Sequence, residues 1–160
     1  MLILGIDPGT AITGYGLVDT RRGREVLITY GVITTPAEME MPLRLFKIQS
    51  ELSAIINEFK PEAAAVEDIF YHRNAKTVIT VAQARGVALC TLAASGIKTA
   101  EYTPLQVKQA VVGYGGADKK QVQSMVKYIL KLDHIPRPDD AADALAVAIC
   151  HAHNLRHINI

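Results

Sequence analysis

The chain has 160 residues, 49% of them hydrophobic, and 17 basic against 16 acidic side chains for a formal net charge of +1. That length suits one domain with a sizeable buried core, so a single domain over residues 1–160 is expected. The near-neutral balance by itself argues neither for nor against nucleic acid, while the absence of repeats and low-complexity tracts excludes fibrous and disordered classes.

No uninterrupted apolar stretch approaches the ~18 residues of a membrane span. The N-terminal apolar run is short and lacks a basic leader, so it does not read as a signal peptide. Cys90 and Cys150 sit among Ala, Val and Leu. Both are expected to be small buried hydrophobes in a reducing compartment, the cytoplasm, rather than a disulfide pair. Charge is unevenly spread: Lys119, Lys120, Lys127 and Lys131 cluster in one segment, and acids gather in 139–143. A neutral total can hide a basic surface around an acidic site.

Residues 2–7 read as a buried strand and 12–18 as a second, with the Pro8-Gly9 turn between them. A third β-branched run covers 26–34, and the short connections make these three strands antiparallel. From Pro42 to Phe59 the period becomes helical, with Leu45, Ile48, Leu52, Ile55, Ile56 and Phe59 at spacings of three and four. Lys60-Pro61 ends that helix. EAAAVED (62–68) reads as a strand reached through a helical crossover, hence parallel to an earlier one. A helix over about 74–94 is apolar much of the way round, which suggests burial against the sheet or a second subunit. Residues 97–103 form a fifth strand. Three helices follow, opening at Thr103-Pro104, at Asp118 with Gln121 three residues on, and at Pro138. GYGG (113–116) reads as a helix stop or hinge. The sum is an α/β fold, a mixed sheet flanked by helices.

Asp7 ends the first strand, where either a turn cap or a functional ligand would account for it. Alternation puts Ile3, Gly5 and Asp7 on one face and Leu2, Leu4 and Ile6 on the other. In the fourth strand Ala63, Ala65 and Glu67 share a face, and Asp68 points away. If the two strands run parallel with aligned ends, Asp7 and Glu67 emerge side by side above small residues that leave room for a crossing element. The last helix is the candidate: Asp140 and Asp143 lie three apart on one face of its first turns. Asp139 is equally compatible with that face, so spacing decides neither. Converging carboxylates repel unless hard cations neutralise them, and Mg²⁺ takes a few carboxylates plus phosphate oxygens. Two such ions ~4 Å apart can drive phosphodiester hydrolysis.

GIDPGTAITGYGLV, VEDIF, AQARGVA, QVKQAVVG, DKKQVQ and DDAADALAVAICH, in this order, resemble the RuvC-type Holliday-junction resolvases over residues 2 to about 153. The resemblance implies an RNase H-like fold with a five-stranded sheet. It also implies a homodimeric endodeoxyribonuclease that resolves four-way junctions by symmetric paired nicks in recombination and repair. The implied cofactor is Mg²⁺, two ions per site, with Mn²⁺ as substitute. The implied partners are junction DNA and the branch-migration proteins RuvA and RuvB. The family's acidic residues map onto Asp7, Glu67, Asp140 and Asp143, which favours the ligand reading of Asp7.

FYHRNAK (70–76) follows Glu67, and there Phe70 and Tyr71 are suited to stacking on unpaired bases and Arg73 and Lys76 to meeting phosphate. The resemblance also places Phe70 near the junction crossover. Lys108 and Lys119 match basic positions that the family sets against the DNA backbone, with Lys120 adjacent. Arg85, in an apolar helix stripe, is equally compatible with a structural or a DNA-facing role. His151, His153 and His157 lack the spacing and the cysteines of a zinc site.

Overall fold

Leu2–Asp7 (β1) and Ile12–Asp19 (β2) pair antiparallel around the Pro8-Gly9 turn, and β2 pairs antiparallel with Val26–Thr34 (β3). The computed structural model describes residues 1–21, 23–69 and 75–158, without the side chains of 75, 76, 157 and 158. Met41–Phe59 (α1) buries Ile48, Leu52 and Ile56, one per turn, and closes where Lys60 adopts a left-handed conformation at φ 51° before Pro61. Ala63–Glu67 (β4), Ala75–Ala94 (α2) and Lys98–Tyr102 (β5) follow. The sheet order is β3-β2-β1-β4-β5, with β4 parallel to both of its neighbours. Such parallel pairing needs the long crossovers that α1 and α2 provide.

The last three helices are Pro104–Val112 (α3), Lys119–Leu130 (α4) and Asp139–Ile158 (α5). Two apolar cores result, one on each face of the sheet. Leu4, Ile6, Ala64 and Val66 pack with Ile48, Leu52, Ala84, Ala88 and Leu92 of α1 and α2. Ile3, Val18, Ala63 and Ala65 pack with Val107, Val111, Val126, Leu145 and Ile149 of α3, α4 and α5. The face assignments expected from alternation therefore hold. Every residue of α5 from Ala141 to Ala152 is buried except Asp143.

α2 departs from the expectation in two ways. Its inner face is buried, but Cys90 is exposed rather than buried, because it stands two residues from both Ala88 and Leu92 and so on the opposite side of the helix. Thr77–Ala94 is also the one described helix long and apolar enough to cross a membrane, at a mean hydropathy of 1.4. Gln83 and Arg85 interrupt its apolar run, which hides it from a search for unbroken stretches. Cys150 is buried as expected.

Candidate active site

The parallel register sets Gly5 beside Ala65 and Ile6 beside Val66, so Asp7 and Glu67 leave the sheet at the same level on neighbouring strands. The turn after Asp7 is held by other groups. The Thr13 hydroxyl donates to the Gly9 carbonyl at 2.6 Å, the Thr35 hydroxyl to the Thr10 carbonyl at 2.5 Å, and the Thr10 hydroxyl to the Thr80 carbonyl of α2 at 2.5 Å. Asp7 is thus not needed as a cap. Its carboxyl lies beside the Glu67 side chain, which acts on it both as a charge and as a hydrogen-bond partner.

α5 delivers the other acids because the sheet lets it approach. An added Cβ at Gly5 would strike the Ala144 carbonyl and Ala148, and one at Gly14 would strike the Asp140 carbonyl. Gly14 is the register partner of Asp7. The glycines therefore form a seat that brings the first turns of α5 over the strand end. Sequence reasoning overlooked Gly14, although a glycine inside a strand pattern is a signal of close backbone approach.

Burial raises the Asp7 carboxyl far above the usual range, and the charges of Glu67, Asp143 and Asp140 push it further. Burial also raises Glu67, with Asp143 adding to it and Lys119 and Lys108 partly offsetting it. Asp143 is raised by burial and opposed by Lys119. Asp139 behaves differently. The Gln123 side chain donates to it at 3.0 Å and holds it below the carboxylate range, helped by Lys119 and by Arg137 at 2.7 Å. Asp140 is among the charges that push Asp7 up, whereas the Asp139 carboxylate is engaged by Gln123, Lys119 and Arg137.

Local signals position the lysines. Thr103 and Asp118 each cap a helix through a reciprocal box, with Gln106 and Gln121 respectively. The first cap starts α3, which carries Lys108 one turn in. The second makes Lys119 the first residue of α4, where its ammonium reaches Asp143 at 3.1 Å and Asp139 at 3.5 Å. Burial pulls that ammonium down, but the two carboxylates hold it above the ordinary lysine value. Lys120 is exposed at the same helix start. Glu67 and Pro104 border two adjoining hollows. One of about 360 Å³ also contains Asp7, and the other, of about 220 Å³, contains Lys108, Lys119 and Asp143.

The donors suit a hard divalent ion: all are carboxylate oxygens, and the pair at the strand ends is raised by burial first and by neighbouring negative charge second. Among the described residues no three such side chains already stand in a metal-binding group. Asp143 is instead paired with Lys119 at 3.1 Å.

Phe70, Tyr71 and Arg73 lie outside the described residues, as does the side chain of Lys76. Arg85 turns out to be bound to protein groups. Its guanidinium pairs with Asp68 at 3.1 Å and with Glu101, and its Nε donates to the Glu67 carbonyl at 3.2 Å. Two histidines are likewise engaged, His151 with the Tyr102 hydroxyl at 2.9 Å and His153 with the Ala110 carbonyl at 3.0 Å. GYGG is a helix stop, with Gly113 in the left-handed region at φ 83°.

The model of the family described as crossover junction endodeoxyribonuclease RuvC matches residues 3–151. The chain belongs to the RuvC family. The RuvC of Syntrophomonas wolfei is 69% identical over 156 residues, covering 98% of this chain and 91% of that one. Thermus thermophilus RuvC has been solved alone and in complex with Holliday junction substrate. At 36% identity the two structures superpose with TM-scores of 0.90 and 0.93, over 98% of this chain and 96% of theirs. The mixed five-stranded sheet is thus the RNase H-like fold of the RuvC nucleases. Yeast mitochondrial Holliday junction resolvase Ydc2, at 13% identity and a TM-score of 0.67, shares the fold.

Proposed function

We propose that this protein is a Mg²⁺-dependent endonuclease that resolves Holliday junctions by paired, symmetric nicks during recombination and repair. The observation that carries the reading is the meeting of Asp7 and Glu67, level on adjacent parallel strands, with Asp140 and Asp143 from α5. Membership of the RuvC family and the likeness to a relative bound to junction substrate support it.

In this account Asp7, Glu67, Asp140 and Asp143 would hold two Mg²⁺ ions, for which Mn²⁺ could substitute. The chemistry supplied there is Lewis-acid: activation of a water and neutralisation of charge on the phosphodiester. The chain's own groups do the rest. Lys108 and Lys119 line the hollow beside Glu67 and bind the phosphate backbone, which fixes register without reading sequence. Lys119 holds Asp143 at 3.1 Å and neutralises part of its charge. Lys120 extends the basic edge, and Phe70, Tyr71, Arg73 and Lys76 engage the crossover. Gly5 and Gly14 keep the acids of α5 in range.

The chain acts as one domain, as a homodimer in the cytoplasm, with RuvA and RuvB as partners. Support for dimerisation comes from apolar side chains that this protomer leaves in the open: Leu43 (56% exposed) and Phe46 (66%) on α1, and Ile79 (62%) on α2.

The test is a labelled mobile four-way junction incubated with the protein, with and without Mg²⁺, beside a linear duplex. Paired nicks at symmetric positions, confined to the junction and to reactions with metal, are expected. Equal cleavage of the duplex, or junction binding without nicks under any divalent ion, would overturn the proposal.

A further inference from the structure

A strand end frays unless its last backbone groups find partners. β4 ends at Glu67, and its exit is tied in an unusual way. The Asp68 N–H donates to the Tyr102 carbonyl at 2.7 Å, carrying the β4–β5 pairing one residue past the strand. The Glu67 carbonyl accepts from Arg85 Nε at 3.2 Å. The Asp68 carboxylate accepts from the Ile69 N–H at 2.8 Å and stands 3.1 Å from Arg85 Nη2, which also pairs with Glu101 of β5. One guanidinium thus joins α2, the end of β4 and β5.

We propose that Arg85 is a positioning residue: by clamping the Glu67 main chain and Asp68 it sets where the Glu67 carboxylate points. The idea rests on the junction-nicking reading and names a residue that acts through Glu67 without touching DNA or metal. Burial separates the parts of the clamp. The Arg85 side chain is only 16% exposed, whereas Asp68 is 44% and Glu101 51% exposed. Ion pairs with partners that open add little to stability. Their value here is geometric, because a guanidinium presents donors in a rigid planar fork and an ammonium does not. A misplacement of about 1 Å at a reacting centre costs ~10²-fold in rate. Alternation turns Asp68 away from the site, but β4 ends at Glu67 and Asp68 borders the same hollow as Asp7 and Glu67, where it forms the far side of this clamp.

The test compares wild type with Arg85→Lys and, from the exposed side of the clamp, Asp68→Asn. Three quantities are read: single-turnover cleavage at saturating junction, junction affinity without divalent ion as a function of salt, and Mn²⁺ affinity by calorimetry. Arg85→Lys is expected to cleave roughly 10- to 100-fold more slowly, with a raised Mn²⁺ dissociation constant. Its junction affinity and salt slope should match wild type, and Asp68→Asn should show a smaller loss of the same kind. Weaker junction binding with a salt slope shallower by about one would make Arg85 a phosphate contact and overturn the proposal. Wild-type cleavage and Mn²⁺ affinity in both variants would overturn it as well. If wild type itself does not nick, the nuclease reading fails, and a weakened Mn²⁺ site in Arg85→Lys would still support the clamp.

Discussion

Replacing Gly14 with alanine tests the seat that carries α5 to the strand ends. The new methyl would lie 1.9 Å from the Asp140 carbonyl oxygen and 2.4 Å from its carbon, where real Cβ atoms essentially never come within 3.0 Å. The approach is therefore too close by about 1.1 Å. Neither obstacle is the tip of a flexible side chain, and the next residues of α5, Ala141 and Ala142, are buried. The helix start must lift, taking Asp140 and Asp143 away from Asp7 and Glu67. Overpacking of this kind costs about 1–3 kcal/mol, a fall in melting temperature of about 2–4 °C per kcal/mol for a domain this size. Displacement of about 1 Å at the carboxylates is expected to slow cleavage ~10²-fold. The assay is single-turnover nicking with enzyme in excess over a labelled junction, well below the melting temperature, with a gel shift to confirm binding. Folded Gly14→Ala protein that binds and nicks within threefold of wild type would refute the reasoning.

Other consequences can be checked separately. Glu25 is held below its ordinary 4.5 by His153, and His153 is held above 6.5 by Glu25, with Arg156 3.0 Å from the same carboxylate. The depressed Glu25 contributes stability above 4.5 that is lost as pH falls through its folded value. The raised His153 contributes below 6.5, and its share is lost as pH rises through its folded value. The melting-temperature difference between wild type and Glu25→Gln should therefore peak between pH 4.5 and 6.5; a difference that does not change with pH contradicts this. Lys119→Ala should slow cleavage and flatten the salt dependence of junction binding by about one unit of slope, and an unchanged slope would remove Lys119 from the phosphate contacts. Gly86 of α2 has nothing within 4 Å of an added Cβ, so Gly86→Ala should stabilise by about 0.5–1 kcal/mol. A drop in melting temperature would instead mean that this face of α2 is covered in the assembled protein.

Much of this was legible in the sequence, for identifiable reasons. Strand alternation places Asp7 and Glu67 on one face, and the parallel register brings them level. Helical spacing puts Asp140 and Asp143 together, and the cap signals at Thr103 and Asp118 locate Lys108 and Lys119 within a turn. Periodicity fails where a choice depends on a third element. It offers Asp139 and Asp140 equally, and it cannot foresee that Gln123 and Arg137 hydrogen-bond Asp139. It gives Arg85 no destination, since Asp68 and Glu101 come from separate strands. Cys90 misleads because an apolar segment has an outer face too.

The most direct measurement is single-turnover junction cleavage by Asp7→Asn, Glu67→Gln, Asp140→Asn and Asp143→Asn, with Asp139→Asn as comparison and gel shifts to confirm binding. The four should bind the junction yet lose at least ~10²-fold in cleavage, while Asp139→Asn stays near wild type. Asp7→Asn cleaving at the wild-type rate, or Asp139→Asn inactive beside an active Asp140→Asn, would contradict the assignment of these four carboxylates as the reaction centre.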